Sequence, residues 1–411
     1  MPPRCLLSSA VEQLIRNEQV VGSNPMGGSK SFFMKTFPLL LLSLLLAACG
    51  ASQQDPYAQA PVLYSPLYAN GFALKASEEE RILYIKKSWQ GQDNSAFSYV
   101  LYPRKDSLKH RGKTDHIPYP IRSAVCLSTT HIAYLEALAQ RDCIVGVSGA
   151  RYVSNPHIQE AVNQGKVADV GFEGALNYER LLSLHPDVIF AYGVAGESAV
   201  FSEQLRKMGL KVVYIGDYLE THPLGKAEYL LAFSAFFEEA QMAQARTQFQ
   251  DIRAAYQALK EQAATVSSRP SVLLNAPFKD VWYVPGSENY ISRLLQDAGA
   301  RSLGSPEGNK ESSTISLEQG YLYALEADFW LHVNAYRSLN ALSADDPRFT
   351  QTSAFRRQKV YNNTQRSTPQ GGSDFWETGV VEPHIILADL IHIFHPEILP
   401  EHVLSYYEKV R

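Results

Sequence analysis

Cysteine is scarce in this chain, at 4 in 411 residues, and no run of lysines or arginines is interleaved with aromatics. No metal-type cysteine spacing can be built from so few. The missing basic run, together with a formal net charge of -4, removes a nucleic-acid surface. Three catalytic signatures are also missing. There is no H-E-x-x-H for a zinc hydrolase and no phosphate loop, and "GVSGA" at 146–150 lacks the final glycine of a nucleophile elbow. What remains is 45% hydrophobic and 19% charged, an ordinary globular composition with enough residues for two domains and a sizeable core.

The N-terminal region is informative. From Met34 the chain reads "MKTFPLLLLSLLLAACG": one lysine, an apolar run too short to stay in a bilayer, then small residues ending at Cys49. This is a secretory signal, and Leu46-Ala47-Ala48-Cys49 resembles the bacterial lipobox, which implies a lipid on Cys49 and a membrane-anchored, periplasmic protein. A signal should begin at the terminus, so residues 1–33 read as a spurious upstream extension and Met34 as the true start. Residues 1–48 hold Arg4, Arg16, Lys30, Lys35, Glu12 and Glu18. The mature chain then has 34 basic residues against 40 acidic ones, a net charge of -6. The two remaining cysteines, Cys126 and Cys143, lie in or beside apolar strand-like segments, as buried thiols or as a disulfide between neighbouring strands.

The organisation follows from texture. After a signal at 34–48 and a polar tether at 49–66, the segments "LYANGFALK", "RILYIKKSW" and "FSYVLYPR" predict a small antiparallel sheet at the start of a first lobe, 67–224. From Ser123, continuous apolar strands alternate with helices, the pattern of a parallel sheet covered on both faces. Residues 225–266 contain no proline and no internal glycine and predict one long linking helix. The α/β pattern then resumes in a second lobe, 267–411. The lobes echo each other: Asn177-Tyr178-Glu179 opens a helix that ends before the strand "VIFAYG", and Ser316-Leu317-Glu318 opens one before "FWLHV".

"CLSTTHIAYLEAL", "IVGVSG", "GKVADVGFEGALNYERLLSLHPDVIFAYG" and the helix-linked second lobe resemble the helical-backbone class of substrate-binding proteins of ABC importers. That group binds cobalamin, ferric siderophores, haem and, in one branch, bare metal ions. The likeness covers roughly residues 120–400. It implies two Rossmann-like three-layer lobes joined by one long helix, with the ligand cleft between them. It further implies that the chain captures an iron complex or cobalamin and delivers it to a membrane permease without catalysing a reaction. One glutamate per lobe meets permease arginines in that family, and the matching positions here are Glu179 and Glu318.

Ligands of open α/β sheets bind beyond the carboxyl ends of the strands, and facing lobes make a cleft there. The first lobe's strand-end loops offer Thr129, Thr130 and His131, then Arg151 and Tyr152, then Tyr192. The second lobe offers Phe278, Trp282 and Tyr283 on the loop after "SVLLN", then Asn334 and Tyr336, and Arg366 and Trp376 on a glycine-containing loop. The aromatics suit the wall of a site for a flat, partly apolar ligand such as a corrin, porphyrin or catecholate. Either arginine suits a carboxylate, phosphate or catecholate oxygen, or else a solvated surface. His131 and His332 stand at strand ends as axial ligands or as hydrogen-bonding residues. His392 and His395, near a helix end, are accounted for by the helix dipole. Two rival functions stay open. A Zn or Mn ion-binding protein needs several converging His and carboxylate ligands, which these loops hardly supply. An exported enzyme modifying haem or corrinoids has no motif in its favour.

Overall fold

Within the first sheet Phe72–Ser77 follows the strand pleat, with Phe72 and Leu74 buried, while Glu80–Ile85 and Phe97–Pro103 carry runs of consecutive buried residues. In the computed structural model the described residues are 57, 59–86, 96–172, 175–193, 203–278, 281–334 and 336–411. The upstream extension, the signal and Cys49 lie outside them. Strands β1 (Val62–Tyr64), β2 (Phe72–Ser77), β3 (Glu80–Ile85), β4 (Phe97–Pro103) and β5 (His116–Tyr119) form one sheet in sequence order. All neighbours are antiparallel except β4 and β5, which run parallel. The expected tether is therefore too long, because its residues 62–64 already pair with β2.

The first α/β sheet has the order β10-β9-β6-β7-β8, formed by β6 (Ala124–Cys126), β7 (Ile144–Val147), β8 (Ala168–Asp169), β9 (Val188–Ala191) and β10 (Val212–Tyr214). Every pair in it is parallel. Helices α1 (Thr129–Ala137), α2 (Pro156–Asn163) and α3 (Tyr178–Leu184) connect these strands, and Ser128, Asn155 and Asn177 cap them with side-chain oxygens. The second sheet has the order β13-β11-β15-β16-β17, from β11 (Ser271–Leu274), β13 (Arg301–Ser302), β15 (Phe329–Leu331), β16 (Val360–Asn362) and β17 (Glu408–Lys409). Only its last strand is antiparallel. A hairpin-like pair, β12 (Trp282–Val284) and β14 (Ser313–Ile315), lies beside it. In both sheets the strand order reverses direction, between β6 and β9 and between β11 and β15. Such switch points are where a crevice opens in α/β sheets.

The linker differs from the single helix expected. It is two helices, α4 (Pro223–Ser234) and α5 (Glu239–Ala264), with a break at 235–238. No proline or glycine marks the break. Instead Arg81 of β3 donates to the carbonyls of Ala235 and Phe237 at 2.8 and 2.5 Å, and Phe236 accepts the Ile121 N–H. The carbonyls that α4 leaves unpaired at its end are thus met from the first sheet, so ending the helix costs little. The second lobe adds α6 (Tyr290–Asp297), α7 (Leu317–Glu326), α8 (Leu339–Asp345), α9 (Ser353–Arg356) and α10 (Pro383–Phe394). α10 packs along α5 and touches α4, and one hydrophobic core runs from the first lobe through these helices into the second. Among the described residues no helix is long and apolar enough to cross a membrane.

The first sheet is fastened to α4 and the turn before it by carboxylates. Glu228 accepts the N–H groups of Leu67, Tyr68 and Ala69 at 2.7–2.8 Å and the Tyr64 hydroxyl at 2.5 Å. Glu220 accepts those of Asn70 and Gly71, at 2.9 and 2.7 Å. Cys126 and Cys143 are both buried free thiols, and burial pushes Cys143 up to about 12. The disulfide alternative is not realised.

Candidate functional site

The first turns of α4 and α6 and the segment 375–383 that leads into α10 meet at the junction of the lobes. Between them lies a narrow cavity of about 20 Å³, lined among others by Pro223, Lys226, Tyr290, Phe375, Trp376 and Val380. That volume falls far below the roughly 300–1,000 Å³ usual for small-molecule pockets, so the cleft is closed in this structure. The lining is aromatic and aliphatic, with one cation. The Lys226 ammonium stands 4.2 Å from the centroid of the Tyr290 ring, and Trp376 meets Tyr290 edge-on with ring centroids 6.3 Å apart. Behind Lys226, on the first-lobe side, lies buried Asp217. Its carboxylate stands 3.2 Å from the Tyr134 hydroxyl. Burial lowers the Lys226 pKa and raises that of Asp217, each partly opposed by the other's charge.

The mouth of the crevice is bridged. Glu377 of the second lobe, 1% exposed, accepts the backbone N–H groups of Ser154 and Asn155 of the first at 2.6 and 2.9 Å. Burial pushes its carboxyl up to about 8, and Asp374 and Glu136 add to the effect. Glu136 is itself held by Arg141 at 2.7 Å and by the Asn155 side chain at 3.1 Å. Beside the bridge, Gly372 lies so close to Tyr152 that a Cβ on it would come within 2.6 Å of the Tyr152 carbonyl oxygen. Only glycine allows this approach.

Of the residues proposed from sequence, Thr130 and Trp376 belong to this junction, and Tyr152 stands at its mouth. Thr129 shares the half-exposed first turn of α1. Tyr192 packs edge-on against Tyr218, 6.5 Å away. Phe278 and Tyr283 are half-buried, Phe278 in a bridge with Val281 and Tyr283 on β12.

Several of the others are placed differently. Trp282 is in the core of the second lobe, at 0% exposure, stacked on Trp330 and donating its ring N–H to the Leu274 carbonyl at 3.1 Å. The strand pleat explains this, since β12 turns Trp282 and Val284 to the same buried side. His131 is fully buried between Phe190 and Phe233, because α1 is covered on all sides and residues 131–135 are all buried. Its ring nitrogens make no hydrogen bond of good geometry, the nearest acceptor being the Phe190 carbonyl, and burial lowers its pKa to about 3. His332 is buried against Tyr407, whose hydroxyl is 2.7 Å from Nε2. Neither histidine reaches the cavity as an axial ligand.

Asn334 ties strand-end loops together, donating to the carbonyls of Ala276 and Pro277 at 3.4 Å. Tyr336 donates to Asp345 at 2.5 Å. Arg366 is engaged within its own lobe, by Asp374 at 3.1 Å, Glu382 at 3.6 Å and the Tyr406 ring at 4.5 Å. Arg151 is exposed and lies over its neighbour Tyr152. Glu179 and Glu318 are exposed in the first turns of α3 and α7. The Glu318 carboxyl is held below its ordinary range by its own backbone N–H and the Ser316 hydroxyl. Lys226, Asp217, Tyr290, Phe375 and Glu377 escaped sequence reasoning. The signal available for Lys226 was a lone cation in the first turn of an otherwise apolar helix.

Among the described residues no group of three or more His, Cys, Asp or Glu side chains converges in a way that could hold a metal ion.

Comparison with known proteins agrees with this architecture. The periplasmic binding protein family matches residues 124–366. An uncharacterized lipoprotein of Methanocaldococcus jannaschii is 24% identical over 68% of this chain and 67% of its own length. Among solved structures, a periplasmic heme binding protein from Pseudomonas aeruginosa superposes with a TM-score of 0.52 at 20% identity, covering 67% of this chain and 93% of that one. A molybdate periplasmic binding protein of Haemophilus influenzae does so with a TM-score of 0.53 at 18% identity, covering 70% and 90%. The first sheet, β1–β5, precedes the family match.

Proposed function

Because this chain belongs to the periplasmic binding protein family, we propose that it is the substrate-binding lipoprotein of an ABC importer. In this reading it captures an iron complex (siderophore or haem) or cobalamin between its lobes and passes it to the permease. The observation that carries the reading is the aromatic floor at the lobe junction: Tyr290, Phe375 and Trp376 offer ring faces and edges to a flat, partly apolar ligand, at the carboxyl ends of both sheets. A macrocycle needs more room than the cavity now has. That room opens if segment 371–377 parts from residues 152–155, with the lobes themselves held by the α4–α5–α10 packing. The lack of a metal-ligand cluster among the described residues leaves a bare Zn or Mn ion without support. A visible-absorption titration with haemin, cyanocobalamin and ferric tris-catecholate tests the reading. A saturable spectral shift with at least one of them is expected, and no shift with any would refute it.

Delivery requires a surface on each lobe. Glu179 shares an exposed helical face with Leu182, and Glu318 shares one with Leu322 and Leu325. An exposed acid beside exposed leucines, once per lobe, suits a two-fold partner with basic residues set in an apolar surface. Glu179→Arg combined with Glu318→Arg should abolish uptake and leave the titration unchanged. Uptake at the wild-type rate would leave helix capping as the whole role of both residues. The membrane anchor of the reading is a lipid on Cys49, in keeping with the relative named as a lipoprotein.

A further inference from the structure

The cavity at the lobe junction contains a cation whose hydrogen-bonding capacity is unspent. An ammonium carries three N–H donors. Among the described residues Lys226 forms no ion pair, and its close partner is the face of Tyr290 at 4.2 Å. Neither of the two carboxylates on its first-lobe side, Asp217 and Glu220, forms an ion pair with it, though both act on it by charge. Asp217 stands 3.2 Å from the Tyr134 hydroxyl, and Glu220 takes the N–H groups of Asn70 and Gly71. Their charges favour the ammonium form without consuming its protons. The backbone of Lys226 is fixed as well, since its carbonyl accepts the Tyr134 hydroxyl at 2.8 Å and the residue sits in the first turn of α4. The cation is therefore held on the wall of a largely apolar cavity, beside Tyr290 and Trp376.

We propose that Lys226 selects the charge of the ligand: its ammonium receives an anionic oxygen (carboxylate, phosphate or catecholate) while Phe375 and Trp376 pack on the ligand's apolar body. The inference rests on the junction being the ligand site. In so dry a setting an ammonium–oxyanion contact is stronger than in water, and a neutral group in the same place leaves the cation uncompensated.

The test uses three probes on the full chain: haemin, whose propionates are anionic; haemin dimethyl ester, which lacks them; and ferric tris-catecholate, an anion of different shape. Binding is followed by quenching of tryptophan fluorescence in wild type, Lys226→Gln and Lys226→Arg, with thermal melts to verify folding. At least one anionic probe should bind wild type and lose about 10- to 100-fold in affinity in Lys226→Gln. Lys226→Arg should restore most of that loss, and the ester should lose no affinity in Lys226→Gln. Preference for haemin over ferric tris-catecholate would assign the anion to carboxylates, and the reverse preference to catecholate oxygens. Wild-type affinity of Lys226→Gln for the anionic probe overturns the inference and leaves the binding reading standing. Failure of wild type to bind any of the three overturns both. If Lys226→Gln does not fold, Lys226→Arg together with the haemin-to-ester affinity ratio of wild type decides, and a ratio near one counts against the inference.

Discussion

Buried carboxylates hold backbone amides at two seams of this protein. Glu220 and Glu228 take five N–H groups from residues 67–71 within the first lobe, while Glu377 takes two, from Ser154 and Asn155, across the gap between lobes. The donors of Glu228 set the two apart. Glu228 meets three amides and the Tyr64 hydroxyl, while Glu220, with two amides, is raised by burial as Glu377 is. Glu377 is pushed up to about 8 by burial, with the like charges of Asp374 and Glu136 adding to it. One seam joins a sheet to its lobe; the other closes the mouth of the site and responds to protons near neutral pH.

The most disruptive way to break this contrast is Glu228→Ala. It strands three amides and the Tyr64 hydroxyl, and should cost on the order of 4 kcal/mol of unfolding free energy in urea. A loss under about 1 kcal/mol would show that water replaces the carboxylate and that the first seam is as yielding as the second.

The next largest effect is in the pH dependence of the interlobe seam. A carboxyl raised in the folded state from its ordinary 4.5 to about 8 contributes most below pH 4.5, and its contribution is lost as pH climbs to about 8. Wild-type stability should therefore fall over that interval, by on the order of 2 kcal/mol, and Glu377→Gln should flatten the fall. Melting curves at pH 5 and pH 8 measure it. An equal slope in the variant would place the titrating group elsewhere.

The smallest effect concerns the aromatic floor behind that seam. Trp376→Ala should weaken ligand binding by about 1–2 kcal/mol with little change in melting, whereas Trp282→Ala, emptying a core position, should act on melting first. Equal behaviour of the two variants would erase the distinction between floor and core.

Much of the fold was legible because its determinants are local. The alternation of apolar strands and helices, the caps Asn177 and Ser316, and the pairing of "FALKAS" with "RILYI" are each written within a few residues. Features that depend on distant partners were not. The break at 235–238 is fixed by Arg81, more than 150 residues earlier, in a stretch with neither proline nor glycine. Trp282 and Trp376 look equally exposed on paper, and only the pleat of β12 and the close approach of Gly320 to the Trp282 ring put the former inside. Lys226 reads as one more helix former until α6 and the 375–380 segment fold over it.

The fastening of the first sheet also bears on how the chain can come to be folded at all. Its bonds join residues 149 to 164 positions apart, Gly71 to Glu220 at one extreme and Tyr64 to Glu228 at the other, and Arg81 waits for carbonyls as late as Phe237. A chain delivered with its N-terminus first presents β1–β5 long before these partners exist, so five amides and a guanidinium stay hydrated in the meantime. The earliest portion able to settle is consequently not the sheet but the whole stretch from Val62 to Phe237, and a fragment ending before Glu220 has nothing to which its leading edge can be moored.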